Sequence, residues 1–107
     1  MEKIIISDSV KYDLDNLIKL LYKEEYFGFL DSAEDYVNNI LTFIYSIPNL
    51  RFKETKNKNF GQYYCSYKHS RNTTWYATFD YENETYLIKN IANNHSKEYA
   101  KFIANIQ

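Results

Sequence analysis

Glycine occurs twice in the 107 residues, and proline and cysteine once each. So little glycine and proline argues against linkers, low-complexity tracts or a disordered tail. With Gly28 and Gly61 as the only glycines there is no phosphate-cradling loop, and no serine sits in a nucleophile elbow. The lone Cys65 excludes a disulfide framework and any metal site built from several cysteines. The first apolar run, Ile4-Ile5-Ile6, is far too short for a signal-peptide core or a membrane span. A cytoplasmic protein with no membrane partner is therefore expected. Length allows one domain, residues 1–107, with one core.

What is abundant is aromatic. Twelve tyrosines and seven phenylalanines sit in a chain whose Lys, Asn, Ile, Tyr and Phe supply about half the residues. All five have A/T-rich codons, so the tyrosines read first as aromatic filling of a β-rich core rather than as base-stacking platforms. The net charge of −1 conceals an asymmetry. Residues 7–36 carry eight acids against three lysines, whereas 51–71 carry six basic residues against Glu54 alone. The molecule is expected to be electrically two-faced, its basic stretch suited to a solvated loop or to a phosphate-bearing partner.

Lys3-Ile4-Ile5-Ile6 predicts a strand, and Ser7 or Ser9 can cap the helix that follows. Val10, Leu14, Leu17, Ile18 and Leu21 recur at helical spacing until Gly28 marks a turn. Asp31, with Glu34 three residues on, opens a second helix in a capping-box arrangement. Its buried stripe is Ala33, Tyr36, Val37, Ile40, Phe43, Ile44 and Ile47, and Pro48-Asn49 stops it. Residues 50–61 read as a basic loop with room for one short edge segment. Strands are predicted at 62–68, 73–80 and 85–91, joined by turns at 69–72 and 81–84. Ser96 can cap a last helix carrying Tyr99, Phe102, Ile103 and Ile106. Apolar residues occur at both strand parities, Trp75 and Phe79 on one and Tyr76 on the other, so either sheet face can meet the helices. The expected fold is α+β: an N-terminal strand, an antiparallel helix hairpin on an antiparallel three- to four-stranded sheet, and a short C-terminal helix.

Two constellations carry chemistry. His95, directly after the last strand in Asn93-Asn94-His95-Ser96, has the side chain suited to acid–base work at cellular pH. It is equally placed to cap the terminal helix. Lys53, Lys56, Lys58, Lys68, Arg71 and Lys89 form a basic set able to stabilise charge on a transferring phosphate. Lys89, inside a predicted strand, points to solvent or reaches the open sheet face. His69 and His95 have no acid at ligand spacing, so no metal site is expected. Trp75 and Cys65 read as packing residues, and nothing near Cys65 in sequence would activate its thiol.

The order strand, two helices, basic loop and three-strand meander resembles the RelE/ParE toxin superfamily. The segments Tyr63-Tyr64-Cys65-Ser66-Tyr67-Lys68, Thr73-Thr74-Trp75-Tyr76-Ala77-Thr78-Phe79 and Tyr86-Leu87-Ile88-Lys89-Asn90-Ile91 carry it. So does Asn94-His95-Ser96-Lys97-Glu98-Tyr99, which is similar to the family's His-Arg-x-x-x-Tyr ending. The resemblance implies the toxin of a type II toxin–antitoxin pair, of the RelE branch. Such a toxin inhibits translation by cleaving ribosome-bound mRNA without a cofactor, as a metal-independent endoribonuclease. It implies His95, Tyr99, Lys68 and Arg71 as catalytic residues, Lys53, Lys56, Lys58, Lys89 and Asn94 as RNA contacts, and a cognate antitoxin protein as partner. The family's arginine early in the middle strand is replaced by Thr73 or a neighbour. That departure keeps two alternatives open: a non-catalytic ParE-like module that binds gyrase or another protein, and a degenerate member with neither activity.

Overall fold

The computed structural model describes residues 2–23, 30–96 and 99–107, with the side chains of residues 18, 20–23 and 30–33 left outside the description. The elements run β1 (Lys3–Ile6), α1 (Asp8–Lys23), α2 (Leu30–Tyr45), a 3-10 helix (Ile47–Asn49), β2 (Lys53–Glu54), β3 (Tyr63–Ser70), β4 (Thr73–Glu82), β5 (Thr85–Asn93) and α3 (Tyr99–Ile106). The fold is α+β as expected, but the sheet differs. It has five strands in the order β1-β5-β4-β3-β2, and it is mixed, because β1 lies parallel to β5. The extra strand is the short edge segment β2, and β1 joins the meander through residues 3–6 paired with 85–88.

Local chemistry explains the boundaries. The Ser7 hydroxyl accepts the Val10 amide at 3.3 Å, making Ser7 the cap of α1. The proline at the start of the 3-10 helix continues α2 into a tight turn instead of ending it abruptly. The predicted turn at Gly28, the Asp31–Glu34 capping box, and the stripe positions Ile18, Leu21 and Ala33 lie outside the described residues. The β4–β5 connection is a two-residue turn at Asn83 and Glu84, both at positive φ (52° and 61°), as the right-handed twist of a hairpin demands.

Cross-strand partners share a face, so the register sorts the side chains. Tyr63, Cys65, Tyr67, Trp75, Ala77, Phe79, Tyr86, Ile88 and Ile91 meet α1 and α2 in the main core, with Val10, Ile40, Ile44 and Ile47 fully buried above them. Trp75, in the central strand, donates its indole N–H to the Tyr36 hydroxyl at 3.1 Å. Cys65 is buried here, and burial pushes its thiol up to about 12, which leaves it protonated and inert at neutral pH. The opposite face carries Tyr64, Ser66, Lys68, Thr74, Tyr76, Thr78, Asn90 and Ala92, and it meets α3 through Phe102, Ile103 and Ile106.

Two bulges produce this sorting. Thr78 pairs with Asn90 and Phe79 with Ile88, so Lys89 is an extra residue that reverses the alternation of β5 halfway along. Lys68 pairs with Thr74 and Ser70 with Thr73, leaving His69 as a second extra residue.

Candidate functional site

Register places three rows on the face opposite α1 and α2. Lys68 lies beside Thr74; Ser66, Tyr76 and Ala92 form the next row; Lys53, Tyr64, Thr78 and Asn90 form the third. The first residue of α3 adds Tyr99, whose ring centroid is 5.9 Å from that of Tyr76. Tyr76 also lies 6.3 Å from Phe102, which is 4% exposed. The phenols of Tyr99 and Tyr64 are the titratable neighbours of the Tyr76 hydroxyl. Burial first, and the neighbouring Tyr99 phenol second, hold the Tyr76 phenol above its usual range.

The basic stretch is not a free loop. Residues 55–61 are folded onto this face by buried polar pins. Thr78, fully buried, donates to the Phe60 carbonyl at 3.1 Å, and Asn90 Nδ2 donates to the same carbonyl at 2.7 Å and to Thr78 Oγ1 at 3.0 Å. The buried Thr55 hydroxyl donates to the Gly61 carbonyl. The loop is tied to α3 as well. The Asn57 amide donates to the Asn105 carbonyl at 2.9 Å, the two side chains are bonded at 2.9 Å, and the Phe60 ring meets Phe102 edge-on at 5.0 Å.

The basic residues accordingly differ in what they are free to do. Lys89 bridges to Asp80 at 3.4 Å and donates to the Asn59 carbonyl, while Lys58 lies 3.6 Å from Glu54. Lys53, Lys56, Lys68 and Arg71 are exposed, and among the described residues no acid pairs with them. Asn94 is occupied: its side chain accepts the Thr74 amide at 3.0 Å and donates to the Asn72 carbonyl at 2.9 Å, clamping the β3–β4 turn to the end of β5.

His95 sits at the end of the sheet, just past β5. Its Nε2 lies 3.2 Å from the hydroxyl of Thr73, a residue of the parity that carries Trp75 and Ala77. Among the described residues no hydrogen bond joins it to Tyr99, Lys68 or Arg71. Ser96, expected as a helix cap, donates its hydroxyl to the Asn93 carbonyl at 3.0 Å and so closes the turn holding His95. The other histidine, His69, belongs to the core side, with its Nδ1 3.3 Å from the Tyr67 hydroxyl and its ring 4.3 Å from Tyr36.

Lys53, Lys68 and Tyr99 are thus the predicted site residues brought to one face, with Arg71 at the exposed turn beside it. Tyr64, Ser66 and Tyr76 are additions that sequence reasoning missed. The alternation of residues 64, 66 and 68 was the available signal, obscured by tyrosines at both parities. Among the described residues no cluster of three or more His, Cys, Asp or Glu is gathered, and no helix is long and apolar enough to cross a membrane. On the helical side, a groove of about 390 Å³ runs between α1 and α2, with Ile6, Leu14 and Val37 in its lining and Asp15 and Glu34 beside them. No family model, curated protein or solved structure matches the chain.

Proposed function

We propose that the chain is the toxin of a toxin–antitoxin pair, with a RelE/ParE-like fold, acting in the cytoplasm as a metal-independent endoribonuclease on ribosome-bound mRNA. The observation that carries this reading is the sheet face opposite α1 and α2, on which the exposed Lys53 and Lys68 flank three half-buried tyrosines. Exposed cations that have no acidic partner among the described residues supply sequence-independent attraction for phosphates, and half-buried phenols supply donors and stacking surface. In the reaction a ribose 2′-oxygen attacks the adjacent phosphorus and the bond to the 5′-oxygen breaks. The 2′-hydroxyl gives its proton to a base, and the departing oxygen takes one up. Lys53, Lys68 and Arg71 hold the phosphate, Tyr99 orients it, and His95 serves as acid or base from the rim. Lys56 extends the cationic track. Lys58, Lys89 and Asn94 are engaged within the protein and contribute less.

A second reading has an observation of its own. His95 is turned to Thr73 and is not hydrogen-bonded to the tyrosine group. That engagement favours a non-catalytic module whose target is gyrase or another protein. Induced expression with mapping of transcript 5′ ends tests both readings. The nuclease reading expects growth arrest with new cleavage ends, reduced at least tenfold by Lys68→Ala and by His95→Ala. Arrest with intact transcripts would transfer the assignment to the protein-binding module. Unimpaired growth would overturn both.

A further inference from the structure

We propose that β1 is the docking edge for a second copy of this chain, the two copies pairing antiparallel through Ile4 and Ile6 into one continuous sheet. The two ends of the sheet are finished differently. At one end β2 is only Lys53 and Glu54, both exposed, and past it the edge of β3 carries exposed Lys68 and the extra residue His69. Shortness, charge and a bulge are features that keep a sheet edge from adding strands. At the other end, Ile4-Ile5-Ile6 of β1 has no charge and no bulge. Its register with β5 runs without a shift, and Ile5 is 50% exposed. The pairing is independent of the nuclease reading.

The backbone of β1 specifies what fits it. The Lys3 amide donates to the Glu84 carbonyl at 2.8 Å, and the Ser7 amide to that of Ile88 at 3.1 Å. In a parallel ladder alternate residues turn both backbone groups to the same neighbour, so Lys3, Ile5 and Ser7 face β5. The amides and carbonyls of Ile4 and Ile6 therefore point outward, and among the described residues no strand lies beyond them. Two outward residues separated by one are self-complementary about a two-fold axis. Ile4 of each copy exchanges both hydrogen bonds with Ile6 of the other, around a central Ile5–Ile5 pair that covers the exposed side chain. Each Lys3 comes opposite Ser7 of the second copy and beside its Asp8. It stands between that acid and its own chain's Glu2, which would otherwise face each other. Lys3 and Asp8 are exposed, and neither has an ion pair among the described residues. The helices leave room, because α1 packs mainly over β5. The two β5 strands stand three strand spacings apart, about 14 Å, against the roughly 8–10 Å that packed helices need.

Light scattering of the full chain over a concentration series reads the mass. It should rise from one chain to two and no further, because a two-fold pairing uses the β1 edge of both copies. Over the same range the Ile4 and Ile6 amides should gain protection from hydrogen exchange, while the Ile5 amide, turned to β5, is protected throughout. Ile5→Lys, at an exposed position, should keep the thermal midpoint of the dilute protein and move dimerisation to at least tenfold higher concentration. Ile5→Cys should give linked dimers under mild oxidation, since a non-hydrogen-bonded pair sets its Cα atoms about 4.5 Å apart, within disulfide reach. Lys3→Cys should not, because four residues of strand, about 13 Å, separate the two copies of that position. The native Cys65 is buried and does not compete. A wild type that stays monomeric at every concentration overturns the proposal. So does a dimer untouched by Ile5→Lys, and so do Lys3→Cys chains that link as readily as Ile5→Cys chains.

Discussion

The two faces of the sheet are built on different principles. The face toward α1 and α2 is closed by apolar volume: Phe79, Ile40, Ile44, Ile47 and Ile88 are fully buried, and aromatic rings of β3, β4 and α2 interlock over them. Among the described residues the opposite face has a small apolar cluster around Ala92, Phe102 and Ile106, and is held otherwise by hydrogen bonds from Thr78, Asn90, Thr55 and Asn57. Burial of large side chains supplies most of a domain's stability, whereas a satisfied buried hydrogen bond contributes mainly by avoiding the cost of an unmade one. The first face should therefore hold the fold together. The second should hold a loop and a helix in place against a surface of half-buried tyrosines edged by exposed lysines.

That division can be broken from either side. Phe79→Ala removes a fully buried ring at the centre of the first face and should cost about 3–5 kcal/mol, read from chemical denaturation. Phe102→Ala removes a ring of similar size from the second. Its loss should release α3 and residues 55–61 while amides of β3, β4 and β5 remain protected from hydrogen exchange. Equal loss of protection over the whole sheet in Phe102→Ala would show that the two faces are one cooperative unit.

A smaller effect is expected at Gly61. Its φ is +154°, and a Cβ there would lie 2.8 Å from the Thr78 Cβ and 3.2 Å from the Phe79 amide nitrogen. Gly61→Ala must push the pinned loop off the sheet, at a cost of about 2–3 kcal/mol. Its signature should be faster exchange of the Phe60 and Asn57 amides with the main core unaltered. Unchanged stability would mean that the close approach of loop and sheet is not maintained in solution.

The helical stripes and strands of the first face were readable from sequence because they obey simple periods, but which strand parity meets the helices was not. Val10, Leu14 and Leu17 recur at helical spacing, as do Val37, Ile40 and Ile44, and Trp75, Ala77 and Phe79 alternate without interruption. The second was harder to read because the bulge at Lys89 shifts Asn90 and Ala92 to the face opposite that expected from Tyr86 and Ile88. Sequence alternation alone does not reveal an inserted residue. The parallel pairing of β1 was missed for a related reason: a four-residue β-branched run carries no mark of the strand it will join, and the whole helical region separates it from β5. For the site, residue types pointed to His95, Tyr99 and the lysines. They did not reveal that Asn94 is spent on a turn or that Lys89 is paired with Asp80.

The smallest effect is a gain, and it tests the hairpin edge that both faces share. Glu84 occupies a left-handed conformation, φ 61°, where a side chain crowds the backbone and glycine does not. Its carbonyl nevertheless has a task, accepting the Lys3 amide at 2.8 Å and so starting the pairing of β1 beside β5. Glu84→Gly keeps that carbonyl and relieves the strain, giving the Asn-Gly sequence that two-residue hairpin turns favour. Stability should rise by about 0.5–1 kcal/mol, seen as a higher denaturation midpoint with an unchanged slope. The gain should be as large in Phe102→Ala as in wild type, because the turn joins strands that survive when α3 is released. If the gain instead vanished in that background, the turn would depend on the second face and the separation of the two faces would fail.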